Sequence, residues 1–448
     1  MKKLLIFTYI GNLVAIIGFW FFNSRNIFIN ASFPALDYGE VFYAIGRLLG
    51  LIGMCCVLFQ LVLIGRVKWL EGRYGFDKLA KLHQENGRIA LGVLIVHPIF
   101  LILGNMFIQK VDFSGSFINL IQTNPFTILA PVGLILTFVI VLISNPLIMN
   151  RIDYEKWYYF HLFQYLAISL VIAHQFFSGT DIIQNPLFMI YWIGLYIFVG
   201  VNFLYFRLLR PLYLYQKHHF KIKEVEEETH DSVSLYISGD NMSELEYKSG
   251  QFLLIRILKS SLWWQVHPFS ISSMPNDEYV RLTVKDVGDY SSKVVKANSG
   301  LRVLIDGPLG RFTKKISKKQ KVLFIAAGSG ITPIRSLMEE LAIDGKDIVL
   351  FYGNKTKKDI IFFDELETLA DKYEIPIHYF FSREKELEKK SNYYKGRIQL
   401  NDIQDIVTDL FEREIFMCAP PEMMRTLRIE LPKIGFPPKY IYYEQYNW

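Results

Sequence analysis

Four histidines hold the most specific chemistry in this 448-residue chain. His83 and His97 stand 14 residues apart in one long apolar segment, and His161 and His174 stand 13 apart in another. At about 1.5 Å rise per residue, each pair sets two imidazoles roughly 20 Å apart along a helix axis. That is most of the depth of a hydrocarbon core about 30 Å thick. Two such helices side by side offer two stacked bis-histidine sites, with His83 opposite His161 and His97 opposite His174. Sites of this kind suit haem iron, and a stack of two would form an electron path across a bilayer. A lone membrane histidine is usually a hydrogen-bonded packing residue, but four at matched depth need a shared purpose. Gly87 follows His83 by one turn, where a missing side chain would leave room for a porphyrin. The second spacing carries a further expectation. At 100° per residue, 14 residues return to within about 40° of the starting face, whereas 13 miss by about 140°. The segment holding His161 and His174 must be irregular, or its two sites must be approached from different sides.

The elements that position these residues are six apolar segments, each near the ~20 residues a membrane helix needs. They run roughly 4–22, 41–65, 84–108, 127–149, 157–177 and 186–208. The first begins Met1-Lys2-Lys3, but its apolar run is long for a signal peptide and no small-x-small cleavage site follows Phe22. Loop charges set the orientation. Arg66, Lys68, Arg73, Lys78 and Lys81, then Arg151 and Lys156, then Arg207, Arg210 and Lys217 all fall on one side. The other side holds Arg25 and Lys110. By the positive-inside rule both termini are cytoplasmic, which puts His83 and His161 near the inner face and His97 and His174 near the outer one. Arg47 lies within the second segment toward its outer end. It either snorkels to the interface or faces the outer site, there to balance a haem propionate or hold an anionic ligand.

From about residue 213 the character changes to that of a soluble protein. Short alternating strands at Ser232–Ser238, Phe252–Ile257 and Val280–Lys285 read as a small antiparallel barrel. A buried strand, Lys321–Ala327, then meets the turn Gly328-Ser-Gly330-Ile-Thr332-Pro333 and a helix. Backbone N–H groups at such a turn can hold a pyrophosphate. Further strands at 347–353, 375–381 and 414–418 alternate with helices, which makes this an α/β nucleotide fold. The fold class is a multi-domain membrane protein. A six-helix all-α transmembrane haem domain spans 1–212, an antiparallel β-barrel domain 213–315 and an α/β nucleotide-binding domain 316–448. Cys55, Cys56 and Cys418 are the only cysteines, so neither a disulfide framework nor a cysteine zinc site is indicated. No calcium loop of the D-x-[DN]-x-[DN]-G type is present, so constitutive activity is expected.

Taken together, these residues resemble the ferric reductase and NADPH oxidase superfamily in its bacterial, six-helix form, over nearly the whole chain. The four histidines match the superfamily's two haem-ligand pairs in spacing and helix order. The rest is similar to the ferredoxin-NADP reductase module, a resemblance that makes the 213–315 β-barrel the FAD domain. His267, Pro268, Phe269 and Ser270 look like the flavin motif, in which the serine hydroxyl lies near the flavin N5. Lys285, Gly288, Ser291 and Ser292 look like the segment that binds the FAD pyrophosphate. Gly328, Gly330, Thr332 and Pro333 are similar to the NADPH pyrophosphate loop. Cys418, Pro420 and Met423 are similar to the nicotinamide-side Cys-Gly-Pro motif, with Ala419 in place of the glycine. Ser382 and Arg383 sit where the module contacts the 2′-phosphate of NADPH, a suitable partner for a guanidinium. Trp448 is similar to the terminal aromatic that stacks on the flavin ring.

The resemblance implies an NAD(P)H-dependent flavohaem oxidoreductase of the plasma membrane with FAD and two b-type haems. NADPH gives two electrons as hydride and haem accepts one at a time, so a flavin is the needed converter. The implied partners are the bilayer, NADPH and an external acceptor; no nucleic acid and no obligatory protein partner are indicated. Oxygen, reduced to superoxide, is the expected acceptor. The alternatives are ferric or cupric chelates, or a role as an electron-transfer subunit for a membrane partner. Some oxidases of the superfamily carry a second histidine one turn after the outer ligand of helix three; here that position is Leu101.

Overall fold

The computed structural model describes residues 4–29, 37–149, 151–259, 262–275, 278–388 and 390–445. It divides into two compact units, one of residues 1–67 and 78–206, the other of residues 68–77 and 207–448.

The first unit is helical. The described residues of the chain include six helices long and apolar enough to cross a membrane: Leu5–Phe28, Tyr38–Ile64, Phe76–Gln109, Pro125–Ile143, Tyr154–Ser178 and Pro186–His218; residues 76–77 and 207–218 of these belong to the second unit. Ile6, Phe7, Ile135, Leu142, Ile190 and Ile197 point outward and are exposed, a surface suited to lipid. Helix α2 (Tyr38–Ile64) is the most enclosed span. Asp37 caps it by accepting from the N–H groups of Gly39 at 2.8 Å and Glu40 at 3.3 Å. Its Ala44 and Met54 share one buried cluster with Trp20, Phe188 and Trp192. Small residues let α2 lie close to the Phe76–Gln109 helix. A Cβ on Gly50 would come within 2.7 Å of His97 Cε1, and one on Gly53 within 2.5 Å of Leu94 Cδ2. Gly104 makes the same allowance from the opposite side, next to Tyr43. Since lipid gives no hydrophobic drive between spans, such close backbone approach is what holds them.

The irregularity expected of the fifth span is present. The helix Tyr154–Leu162 ends one residue after His161, and a new helix, Gln164–Ser178, carries His174. At the break Phe163 N–H donates to Phe160 C=O at 3.2 Å, three residues back rather than four. The turn tightens there, so the 13-residue spacing is not read on one continuous 3.6-residue cylinder.

The second unit contains all twelve described strands. β1 (Lys221–Thr229), β2 (Ser232–Ser238) and β5 (Val280–Lys285) form one three-stranded antiparallel sheet, in the order β1-β2-β5. β3 (Phe252–Ile257), β4 (His267–Ser270) and β6 (Val303–Leu309) form another, in the order β4-β3-β6. Isolated bridges Lys221–Arg302 and Ile271–Leu282 supplement the two sheets. The expected barrel is therefore two sheets around one core of Leu235, Leu253, Ile255, Leu282 and Ile305, and not a closed cylinder. The segment Lys68–Asp77 adds to this unit. Glu71, fully buried, accepts from Gly310 N–H at 2.9 Å.

The remaining strands make a six-stranded parallel sheet. They are β7 (Lys321–Ala327), β8 (Asp347–Asn354), β9 (Ile377–Phe381), β10 (Tyr393–Lys395), β11 (Arg413–Cys418) and β12 (Ile441–Tyr443), in the order β10-β9-β8-β7-β11-β12. Near-continuous apolar runs such as Val322–Ala326 are what a strand buried on both faces needs. The strand order reverses between β7 and β11. In such sheets ligands bind at the carboxyl ends beside that switch point.

Candidate functional site

In the first unit, His83 and His161 face each other with ring centres 6.1 Å apart and planes at 61°. A metal bound by two imidazoles calls for about 6 Å between ring centres, from a bond of about 2 Å plus about 1 Å of ring on each side. Ser144 Oγ lies 2.8 Å from Ile140 C=O, accepts from Trp157 Nε1 at 3.0 Å and lies 3.3 Å from His161 Nδ1, so the serine engages His161 through Nδ1. His97 Nδ1 donates to Gly46 C=O at 2.7 Å, which fixes its tautomer and leaves Nε2 as the basic nitrogen. Its ring occupies the space that Gly50 leaves open. His174 lies close enough to His97 for the two imidazoles to interact electrostatically.

Two expectations for this unit change. The space beside Gly87 is taken by Gln60, whose Nε2 would lie 2.6 Å from an added Cβ. Gln60 Oε1 is buried there with no hydrogen-bond partner. Arg47 neither snorkels nor stands alone. It pairs with Asp181 at 3.3 Å and donates to Ser24 Oγ at 2.8 Å. Asn23 Nδ2 also donates to Asp181, at 3.2 Å. Asp181 was not singled out in the sequence, although it is the only carboxylate in its short connection, 178–185.

In the second unit, β4 holds His267, Pro268, Phe269 and Ser270 along its pairing with β3. The His267 ring stacks on Tyr290 with centres 3.8 Å apart, and burial pushes His267 down to about 4, so it is neutral at pH 7. Ser270 is buried. Lys285 pairs with Asp231 at 3.2 Å. Ser291 Oγ accepts from the N–H groups of Val287 at 3.0 Å and Gly288 at 2.9 Å, and Ser292 hydroxyl donates to Gly288 C=O at 2.9 Å. Here the two serines cap the short helix Asp289–Val294. Tyr290 lies inside the Gly288–Ser292 motif, whereas Asp231 had no signal beyond its residue type.

The nucleotide motifs gather at the carboxyl ends of the parallel strands. Gly328 has φ +53°, the left-handed region that glycine enters cheaply. A Cβ on Gly330 would lie 1.9 Å from Cys418 C=O, so only glycine lets the loop after β7 touch the end of β11. Thr332 hydroxyl donates to Ser329 C=O at 2.9 Å, and Pro333 lies in the first turn of the helix Ile331–Ile343. Cys418 is buried, and Pro420 precedes the helix Pro421–Lys433, which carries Met423. Ser382 N–H donates to Asn354 C=O at 3.0 Å, and Ser382 and Arg383 are exposed beyond β9. Trp448 lies outside the described residues. Beyond β12, Glu444 N–H donates to Met417 C=O at 3.1 Å. Burial first, then the like charges of Asp77 and Glu71, push the Glu444 carboxyl up to about 8.

Comparison with known proteins assigns these parts. A ferric reductase like transmembrane component matches residues 49–172. An FAD-binding domain matches 218–313, and an oxidoreductase NAD-binding domain matches 324–428. The chain therefore combines a ferric reductase-like transmembrane domain with an FAD-binding and an oxidoreductase NAD-binding domain, and it spans a little under two thirds of the length of the first curated relatives it matches. This is the architecture of a ferric reductase/NADPH oxidase-like fusion carrying a ferredoxin-NADP reductase-like module. Among curated proteins, it is 30% identical over 236 residues to the ferredoxin reductase component of 3-ketosteroid-9-alpha-monooxygenase from Rhodococcus rhodochrous, covering 50% of this chain and 64% of that one. It is 29% identical over 219 residues to the sulfhydrogenase 2 gamma subunit of Pyrococcus furiosus, covering 46% and 74%. The crystal structure of a cytochrome P450 reductase from Amycolatopsis matches at 17% identity and a TM-score of 0.45, covering 51% and 68%.

Two outcomes follow from this geometry. Gly330→Ala should weaken dinucleotide binding at least about tenfold, a change of about 1.4 kcal/mol, while leaving FAD content intact; NADPH titration of the purified protein measures it. The Glu444 carboxyl titrates near about 8 when folded and near about 4.3 when unfolded. Its contribution is complete below the lower value and is lost as pH rises through the upper one. The thermal midpoint of the second unit should fall as pH rises from about 4.3 to about 8, and Glu444→Gln should flatten that slope.

Proposed function

We propose that this protein takes electrons from cytoplasmic NADPH and passes them through FAD and two bis-histidine haems to an acceptor outside the plasma membrane. The observation that carries this reading is the histidine geometry. His83 and His161 stand at the separation a shared iron requires, and His97, held through Nδ1 on the Gly46 carbonyl, keeps Nε2 as its basic nitrogen. The orphaned Gln60 Oε1 beside Gly87 marks a buried polar spot that a larger group would complete. When bound, the flavin and haems supply the redox chemistry, converting a hydride into single electrons and relaying them.

The chain's own residues do the positioning. His83/His161 would hold the inner iron and His97/His174 the outer one. Both axial positions of each iron would then be filled, so the acceptor would meet the haem edge and not the metal. Ser270, with the stacked His267 and Tyr290, would face the flavin. Lys285, Gly288, Ser291 and Ser292 would border its pyrophosphate. Gly328, Gly330, Thr332 and Pro333 would hold the dinucleotide phosphates, and Ser382 and Arg383 the 2′-phosphate. Cys418, Pro420, Met423 and Trp448 would border the nicotinamide. The matched regions support domain limits at 1–212, 213–315 and 316–448, and the loop charges support cytoplasmic termini.

Oxygen is the proposed acceptor, with superoxide as product. Arg47 is neutralised by Asp181, which weakens its pull on an anionic chelate and suits a small neutral oxidant. Ferric or cupric chelate reduction is the competing reading. NADPH-driven reduction by the detergent-purified protein separates the two. An oxidase should reduce cytochrome c in a superoxide dismutase-sensitive manner, faster than it reduces ferric chelate. The reverse order makes it a metal reductase, and reduction of neither makes it a subunit for a membrane partner. His97→Ala should remove one haem and leave the other.

A further inference from the structure

The flavin-bearing sheets and the dinucleotide sheet of the second unit are joined by a charge cluster that no motif above accounts for. Arg281 projects from β5, beside the flavin segment. Its Nη1 and Nη2 grip Glu365 with a bidentate fork at 2.9 and 3.1 Å. Glu365 belongs to the helix Phe363–Tyr373 of the nucleotide region. The Arg281 guanidinium also lies 4.4 Å from the centre of the Phe362 ring. Arg335, two residues after Pro333 of the phosphate loop, pairs with the same carboxylate from the other side.

Both arginines also reach the flavin strand. Arg281 Nη2 donates to Ser272 C=O at 3.2 Å, and Arg335 Nη1 donates to the same oxygen at 3.3 Å. Ser272 is two residues beyond Ser270. Ser336 hydroxyl adds a third tie, donating to Ile271 C=O at 3.0 Å. The end of the flavin motif and the helix that opens at the phosphate loop are therefore bonded to each other within a few residues of the proposed reacting centres. The two guanidiniums are about one-tenth exposed, at 10% and 11%, and share one carboxylate. Arg335 also pairs with Glu339 at 2.9 Å, whereas among the described residues Glu365 is the only carboxylate paired with Arg281, so removing Glu365 would leave the nearly buried Arg281 without an ion-pair partner.

We propose that Glu365, Arg281 and Arg335 form a strut that fixes the distance between flavin and nicotinamide for hydride transfer, and so act as positioning residues. Reacting atoms must approach to about 3–3.5 Å, and a misplacement of about 1 Å can cost about a hundredfold in rate. None of the three is among the residues proposed to hold the dinucleotide phosphates, so loss of the strut should slow the transfer without weakening dinucleotide affinity. The inference rests on the reading of this unit as an NADPH–flavin module.

The test uses the full-length, cofactor-loaded protein in detergent. In anaerobic stopped-flow, Glu365→Gln should reduce the rate of flavin bleaching by NADPH about tenfold or more, with the half-saturating NADPH concentration unchanged within about twofold. The primary isotope effect with 4-deuterated NADPH should rise. Amide hydrogen exchange over residues 271–274 and 334–340 should quicken, a readout that does not depend on turnover. Arg281→Lys keeps the charge but not the fork, and should fall between wild type and Glu365→Gln; it also serves if Glu365→Gln does not fold. An unchanged rate and exchange in both variants would overturn the strut. So would a rate loss explained by lost FAD with an unchanged isotope effect. If NADPH does not bleach the flavin of the wild-type protein, the NADPH–flavin reading itself fails, while the exchange measurement still reports on the strut.

Discussion

An imidazole in a hydrocarbon layer is tolerable only if its polar nitrogens are satisfied, and that constraint organises the membrane half of this protein. His97 spends one nitrogen on the carbonyl of Gly46, and His161 spends one on Ser144. For His97 that leaves Nε2 as the basic nitrogen, the one that could bind a metal. The glycines of α2, the break after Leu162 and the anchoring of Ser144 by Trp157 all serve to place those nitrogens. Away from this seam the spans turn apolar side chains outward and need little else.

The second unit answers to a different constraint. Its ligands are large and anionic, so it builds a floor from strand ends and backbone N–H groups instead of from charged side chains. Gly330 is pressed against Cys418 C=O because the phosphate loop and the nicotinamide side must meet at the point where the strand order reverses. The charged residues lie one layer out, where Arg281, Arg335 and Glu365 bind sheet to sheet. In the proposed function, electrons would enter by a geometry-sensitive hydride step here and cross the membrane by a geometry set on helices.

Periodicity and spacing revealed much of this. The six spans were visible because a long apolar run has few alternatives in a folded chain. The break in the fifth span was visible because 13 residues cannot return to one helix face. The parallel sheet announced itself through runs such as Val322–Ala326, but β10 and β12 have three residues each and leave no pattern to detect. The barrel expectation failed in its closure: alternation fixes which face is buried, not how the sheet edges meet. The supporting residues were hidden for another reason. Ser144, Gly46, Asp181 and Glu365 are ordinary residue types whose roles arise from partners 17 to 134 positions away. Gly87 shows the converse, since a glycine one turn from a histidine proved to admit Gln60.

The central claim is that the membrane unit holds two irons, each between two imidazoles. Low-temperature electron paramagnetic resonance of the oxidised, purified full-length protein, combined with haem and flavin quantification, tests it most directly. The account predicts two low-spin ferric signals of bis-histidine type and two haems for each FAD. A high-spin signal, a single haem or none would contradict it.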